Sequence, residues 1–172
     1  MAEDRGVTEL NAKQFATLAH EKQFRKYTGE PYIVHPERVV QLLGLVPHTD
    51  EMLAAAWLHD VVEDCGVSIS YIRDLFGHRV ASLVAQVTDV SKPSDGNRKV
   101  RKQIDLEHLA KADEEGQTIK LADIADNDLS ILRYDPDFSV VWRKEKAALL
   151  AVLTKGNPQL YQLCQKQLKE SR

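Results

Sequence analysis

An all-α fold in a single domain is what this sequence predicts, on three observations. Nearly every segment spaces its apolar residues three and four apart, as one face of a helix does. No run alternates apolar and polar residues with period two for long enough to demand a sheet. The breaks between periodic segments are short and rich in Gly, Pro and Asn, with no repeat and no linker long enough to split 172 residues. That length buries a real core without metal or disulfide staples.

From Thr8, the residues Ala12, Phe15, Ala16 and Ala19 give the first buried stripe. The polar stretch Arg25–Pro31 breaks the period and reads as a loop. Pro36 suits a first helical position, with Val39, Val40 and Leu43 as the apolar face before Gly44. Thr49 or Asp50 can cap the next helix, which turns Leu53, Ala56 and Trp57 inward and runs to about Gly66. Short helices follow, Ser70 to Phe76 closed by Gly77, then a stripe of Val80, Leu83, Val84 and Val87. Ser91 to Asn97 is the clearest loop. Beyond it the pattern predicts helices near 99–115, 117–133, 139–155 and 158–169, the last with Asn157 as cap and Pro158 in first position.

Apolar residues make up 43% and charged residues 28%, the balance of an ordinary folded protein. With 23 Lys plus Arg against 26 Asp plus Glu, the net charge of -3 argues against a general nucleic-acid binder. It leaves room for a small anionic ligand held by a few local cations. The 2 cysteines, Cys65 and Cys164, form neither a metal-finger spacing nor a disulfide framework. The start, Met1-Ala2-Glu3-Asp4-Arg5, mixes charges with no apolar run behind it, so no signal peptide is expected. No stretch has the roughly 20 apolar residues that cross a bilayer. A reduced, cytoplasmic protein is the expectation, and the residues carry no sign of oligomeric state.

The chemistry-bearing residues gather in three segments. His59-Asp60 is a dipeptide that chance supplies easily, but its context is stronger: the run from Ala54 to Asp64 puts His59, Asp60, Glu63 and Asp64 at one end of an apolar helix. Residues three and four apart are helix neighbours, so these carboxylates crowd one another, and a cation between them relieves the repulsion. A solvated helix end with its carboxylates pointing outward is the alternative. His35 precedes Pro36, which holds its backbone extended; it can equally be a loop histidine packed on a neighbour. Asp123 falls in the first turns of an apolar helix, where it can be a ligand or simply a partner of the helix dipole. Two histidines with two aspartates make a mixed nitrogen and oxygen set that suits Mn²⁺, Fe²⁺ or Zn²⁺.

In order and spacing, these pieces resemble the HD-superfamily hydrolase domain of the RelA/SpoT type, and especially the small alarmone hydrolases. The matching residues are Arg25, Lys26, Gly29, Glu30, Pro31, Tyr32, His35 and Pro36, then His59, Asp60, Glu63 and Asp64. Phe76-Gly77, Val87-Thr88-Asp89, Lys120-Leu121-Ala122-Asp123 and Asn127 follow, over roughly residues 10 to 155. The resemblance implies one divalent metal, usually Mn²⁺, held by His35, His59, Asp60 and Asp123, with Glu63 and Asp64 handling the attacking water. It implies hydrolysis of the 3′-pyrophosphate of (p)ppGpp-like nucleotides, guanosine or adenosine, releasing pyrophosphate. Arg25 and Lys26 then border base and phosphates, with Tyr32, Asn127 and Ser130 nearby.

The chain departs from the long bifunctional members after the metal aspartate, where Ile124, Asp126 and Leu129 replace Arg, His and Arg. Their synthetase domain is not expected here, since the hydrolase resemblance takes up the length. The cluster Arg98-Lys99-Val100-Arg101-Lys102 is either a cationic wall for the ligand or an ordinary solvated helix face. The other readings are a phosphatase acting on a nucleotide such as NADPH, and a silent nucleotide sensor lacking catalysis.

Overall fold

The computed structural model describes residues 3–170, with side chains from Thr8 onward. Met1 and Ala2 of the N-terminal charge pattern, with Ser171 and Arg172, lie outside the described residues. Among the described residues the fold is all-α, and the only strand-like pairing is one antiparallel bridge between Phe24 and Pro31. The backbone divides into two compact units, Met1–Thr88 and Asp89–Arg172.

In the first unit, α3 (Asp50–Leu58) is the core helix, and every residue from Met52 to Leu58 is buried. A helix apolar on all sides must be surrounded, and α1 (Glu3–Ala19), α2 (Val34–Leu43) and α5 (Ile69–Val87) pack around it. Thr49 caps α3 by accepting from the Met52 amide, which settles the choice left between Thr49 and Asp50. Gly77 sits at φ 86° inside α5 and breaks it into two helical pieces, as the sequence pattern expects.

Three local expectations are corrected in this unit. First, α2 begins at Val34, so Pro36 is its third residue and His35 is helical rather than extended. The first turn tolerates proline because its amides need no intrahelical acceptor, and the His35 amide bonds the Tyr32 carbonyl at 2.9 Å. Second, the helix carrying His59 does not run through to Gly66. It stops at Leu58, turns through His59 and Asp60, and resumes as the short α4 (Val61–Cys65), ended by Gly66 in the left-handed region. The third concerns packing: Phe15, read as part of the buried stripe, is half-exposed, with its ring edge on Phe76.

The second unit holds α6 (Arg98–Ala110), α7 (Glu114–Tyr134), α8 (Pro136–Val152) and α9 (Pro158–Glu170); against the expected spans α6 ends earlier, α7 and α9 are longer, and α8 is shifted toward the N-terminus. The α7 helix packs on α8 and α9, and α6 packs on α8. Asp113, Asp135 and Asn157 cap α7, α8 and α9 through their side-chain oxygens. The loop before α6 contains a 3-10 turn at Pro93–Asp95 and is tied down by Asp105, whose carboxylate accepts from the Val90 and Ser91 amides and the Ser91 hydroxyl. Asp123 falls mid-helix in α7, which starts at Glu114. That removes the helix-dipole account of this acid, because the dipole acts within the first turn.

Candidate metal centre

His59 and Asp60 occupy the turn between α3 and α4, and His35 the first turn of α2. The packing of α2 on α3 brings the two rings together, both buried, with Nε2 atoms 3.2 Å apart. Asp60 Oδ2 lies 3.0 Å from His59 Nε2 and 3.6 Å from His35 Nε2. Asp60 is in the N-cap position of α4, where an aspartate ordinarily accepts from the backbone, yet its side chain makes no capping bond. Its carboxylate turns to the histidines instead and accepts a hydrogen bond from the Tyr32 hydroxyl at 2.5 Å.

The tautomer of His59 follows from its other nitrogen. Nδ1 lies 2.7 Å from the Ala56 carbonyl oxygen, which can only accept, so Nδ1 carries a proton, and in the neutral ring Nε2 carries a lone pair. That lone pair and an Asp60 carboxylate oxygen face each other at 3.0 Å. A cation resolves this arrangement of converging acceptors, and the backbone anchor on Nδ1 is the usual way a ligating histidine is oriented. The cluster fits a divalent metal of the type that takes nitrogen and carboxylate oxygen.

Beyond it, α4 carries Glu63 and Asp64 on its exposed side. Asp64 Oδ2 accepts from Gln23 Nε2 at 2.9 Å. Arg25 lies over the Tyr32 ring at 5.6 Å and Lys26 over Tyr27 at 4.9 Å. Their loop is closed by the bridge at Phe24 and Pro31 and turned by Gly29 at φ 70°, a conformation glycine adopts without strain. Burial, with Asp64 and Asp60 nearby, pushes the Cys65 thiol up, so it is no activated nucleophile.

In the second unit, Asp123, Asn127 and Ser130 share one stripe of α7 at i, i+4 and i+7. Asp123 is 5% exposed and is held on both oxygens, by Lys120 Nζ at 2.8 Å and Asn127 Nδ2 at 2.7 Å. Ile124 and Asp126 are buried and Leu129 is exposed. Of the basic cluster, Arg98 pairs with Glu145 through two bonds of 2.9 Å and Lys102 approaches Asp89 at 3.4 Å. Both cations are therefore already engaged within the unit.

Lys120, His20 and Gln23 were not singled out from sequence as site residues. His20 had a signal: it continues the Ala12 and Ala16 spacing, so a polar ring occupies a position that the period marks as buried.

An all-helical fold presenting a histidine and a His-Asp pair from adjoining helices defines the HD domain class. The HD domain family model matches residues 12–126, and the chain belongs to that family. Among relatives, guanosine-3′,5′-bis(diphosphate) 3′-pyrophosphohydrolase MESH1 of Drosophila melanogaster is 40% identical over 121 residues, 69% of this chain and 66% of that protein. MESH1 of Xenopus tropicalis is 34% identical over 132 residues, 74% of this chain and 72% of that protein. A probable guanosine-3′,5′-bis(diphosphate) 3′-pyrophosphohydrolase of Synechocystis is 51% identical over 78 residues, but they are 45% of this chain and only 10% of that much longer protein. A solved structure of a metazoan SpoT ortholog, reported to hydrolyze ppGpp, matches with TM-score 0.82 and 29% identity, covering 95% of this chain and 94% of that one.

Proposed function

We propose that this chain is a metal-dependent hydrolase that removes the 3′-pyrophosphate of guanosine or adenosine alarmones, (p)ppGpp or (p)ppApp, with the two units acting as one domain over residues 1–172. The observation that carries this is the convergence of buried His35 and His59 with the Asp60 carboxylate. The pyrophosphohydrolase names of the MESH1 relatives support the substrate class. In this reading Asp123 completes the ligand set, since it too offers a buried oxygen, and Mn²⁺ is the ion. Lys120 and Asn127 orient that carboxylate.

A bound divalent ion supplies a water of lowered pKa and polarises a phosphoryl oxygen. The water oxygen bonds to the phosphorus next to the 3′-oxygen and the bond from that phosphorus to the 3′-oxygen breaks; the nucleoside keeps that oxygen, which takes a proton from solvent to become the 3′-hydroxyl, and the two phosphoryl groups are released together as pyrophosphate. Glu63, exposed one turn beyond His59, accepts the proton of the water, and Asp64 beside it assists. Arg25 and Lys26 offset phosphate charge, and the guanidinium of Arg25, stacked on Tyr32, offers a flat face to a base. Asn127 and Ser130 border the nucleotide from the α7 stripe. Among the described residues no helix is long and apolar enough to cross a membrane. Two free thiols suit a reducing compartment, and we assign the hydrolase to the cytoplasm.

The test is incubation of Mn²⁺-loaded protein with ppGpp, ppApp and NADPH side by side, measuring pyrophosphate and orthophosphate. Intact pyrophosphate from an alarmone is the expected product. Orthophosphate alone points to the phosphatase reading, and inertness toward all three points to a sensor.

A further inference from the structure

Asp60 and Asp64 are both supported from one residue that the hydrolytic reading leaves unused. His20 follows the last turn of α1 and is 2% exposed. Its ring lies against Tyr32, centroids 4.7 Å apart, and the Tyr32 hydroxyl donates to Asp60. Its Nδ1 lies 2.7 Å from Gln23 Oε1, and Gln23 Nε2 donates to Asp64 Oδ2 at 2.9 Å.

The direction of every bond in that chain follows from its ends. An ionised carboxylate only accepts, so the Gln23 amide turns its NH₂ to Asp64 and its carbonyl to His20. A carbonyl only accepts, so His20 Nδ1 carries the proton. Cys65 Sγ, 3.3 Å from the same nitrogen, is a weaker acceptor beside that N–H. The His20 Nε2 atom is buried with no hydrogen-bond partner, a cost that an apolar side chain would avoid. The ring therefore carries one destabilising nitrogen along with the single donor that the chain of bonds uses.

Asp64 is exposed on a helix of 5 residues. Gln23 reaches it from 41 residues away in sequence. We propose that His20 is a positioning residue which, through Gln23, holds the Asp64 carboxylate in one orientation for the hydrolytic step. This rests on the assignment of Asp64 to the catalytic pair.

The experiment is steady-state hydrolysis of ppGpp by the full chain loaded with Mn²⁺, with manganese content and thermal midpoint measured on each variant. Gln23→Met removes both amide bonds, keeps the length of the side chain and falls at a half-buried position. It should lower kcat roughly 10–100-fold, the usual loss when an orienting partner is removed, and leave KM and manganese content near wild type. His20→Phe keeps the ring against Tyr32 but lacks the Nδ1 proton, and should fall as far. His20→Asn places an amide nitrogen where Nδ1 stood and should recover most of the kcat. In an Asp64→Asn background, Gln23→Met should add no further loss, because both act through one carboxylate.

The same fold-loss from Gln23→Met in both backgrounds overturns the proposal, as does a fall in manganese content or thermal midpoint that accounts for the lost rate. An active wild type indifferent to Gln23 overturns the relay and leaves the hydrolase reading intact. An inactive wild type, or Asp64→Asn with full rate, overturns the catalytic assignment and the relay together.

Discussion

In the proposed mechanism Asp60 and Glu63, three residues apart, have different tasks because the backbone breaks between α3 and α4. Asp60 falls in the turn, buried enough to meet both histidines, whereas Glu63 is on α4 and exposed. Asp60→Asn should lose metal and turnover together, read by elemental analysis and initial rates. Glu63→Gln keeps the shape of the side chain but cannot take a proton near neutral pH. Its rate should fall by about 10²–10⁴-fold, the range of a general base, with metal content unchanged. If Glu63→Gln protein came out metal-free, Glu63 would have to be a ligand or an essential support of one. At this scale the crowding of His59, Asp60, Glu63 and Asp64 is read from one run of residues, whereas His35 and Asp123 enter the proposed ligand set through the family resemblance. The tautomer of His59 was not readable from sequence, because it depends on where the Ala56 carbonyl points once α3 has ended.

Among the helices, the second unit is tied by a buried ion pair that no sequence period announces. Lys146 on α8 is 0% exposed, with Nζ 3.0 Å from Asp128 Oδ2 on α7 and 3.2 Å from Gln167 Oε1 on α9. Trp142 Nε1 donates to the other Asp128 oxygen at 2.7 Å. Lys146→Met leaves a carboxylate buried without its cation and should cost about 3–5 kcal/mol in urea unfolding. Adding Asp128→Leu should restore much of that, since an apolar pair of similar volume needs no desolvation. Helix starts behave more simply. Asn157 accepts from the amides of Gln159 and Leu160, and Asn157→Ala should destabilise by about 0.5–2 kcal/mol with no change in KM. That cap was readable because Asn followed by Pro is a local signal. The end of α3 was not, because the apolar pattern continues into Val61 and Val62 while the chain turns.

For the molecule as a whole, metal and pH give the sharpest tests. Chelation followed by readdition of Mn²⁺ should abolish and then restore hydrolysis, and full activity after exhaustive chelation would discard the metal-dependent mechanism. Cys164 is fully buried, and burial pushes its thiol up to about 11 from 9.0. In the unfolded chain the thiol ionises at the lower value, so the stabilisation is complete below pH 9 and is lost as pH rises through about 11. Urea titrations of wild type and Cys164→Ala across that window should show the steeper decline in wild type. Parallel slopes would mean that Cys164 ionises equally easily in both states.

What the sequence determined by itself was local: helix periodicity, most caps and breaks, and the all-α class, together with the residue types from which the metal and nucleotide sites are proposed. These are readable because a period of three and four, a Gly at φ 86°, or an Asn before Pro acts within one or two turns of chain. The tertiary structure decided which nitrogen of His59 faces the Ala56 carbonyl, that Asp60 gives up its capping bond to face two histidines, and that Gln23, held by His20, reaches Asp64. The first depends on how the backbone turns at the end of α3, and the other two on atoms brought together from tens of residues apart.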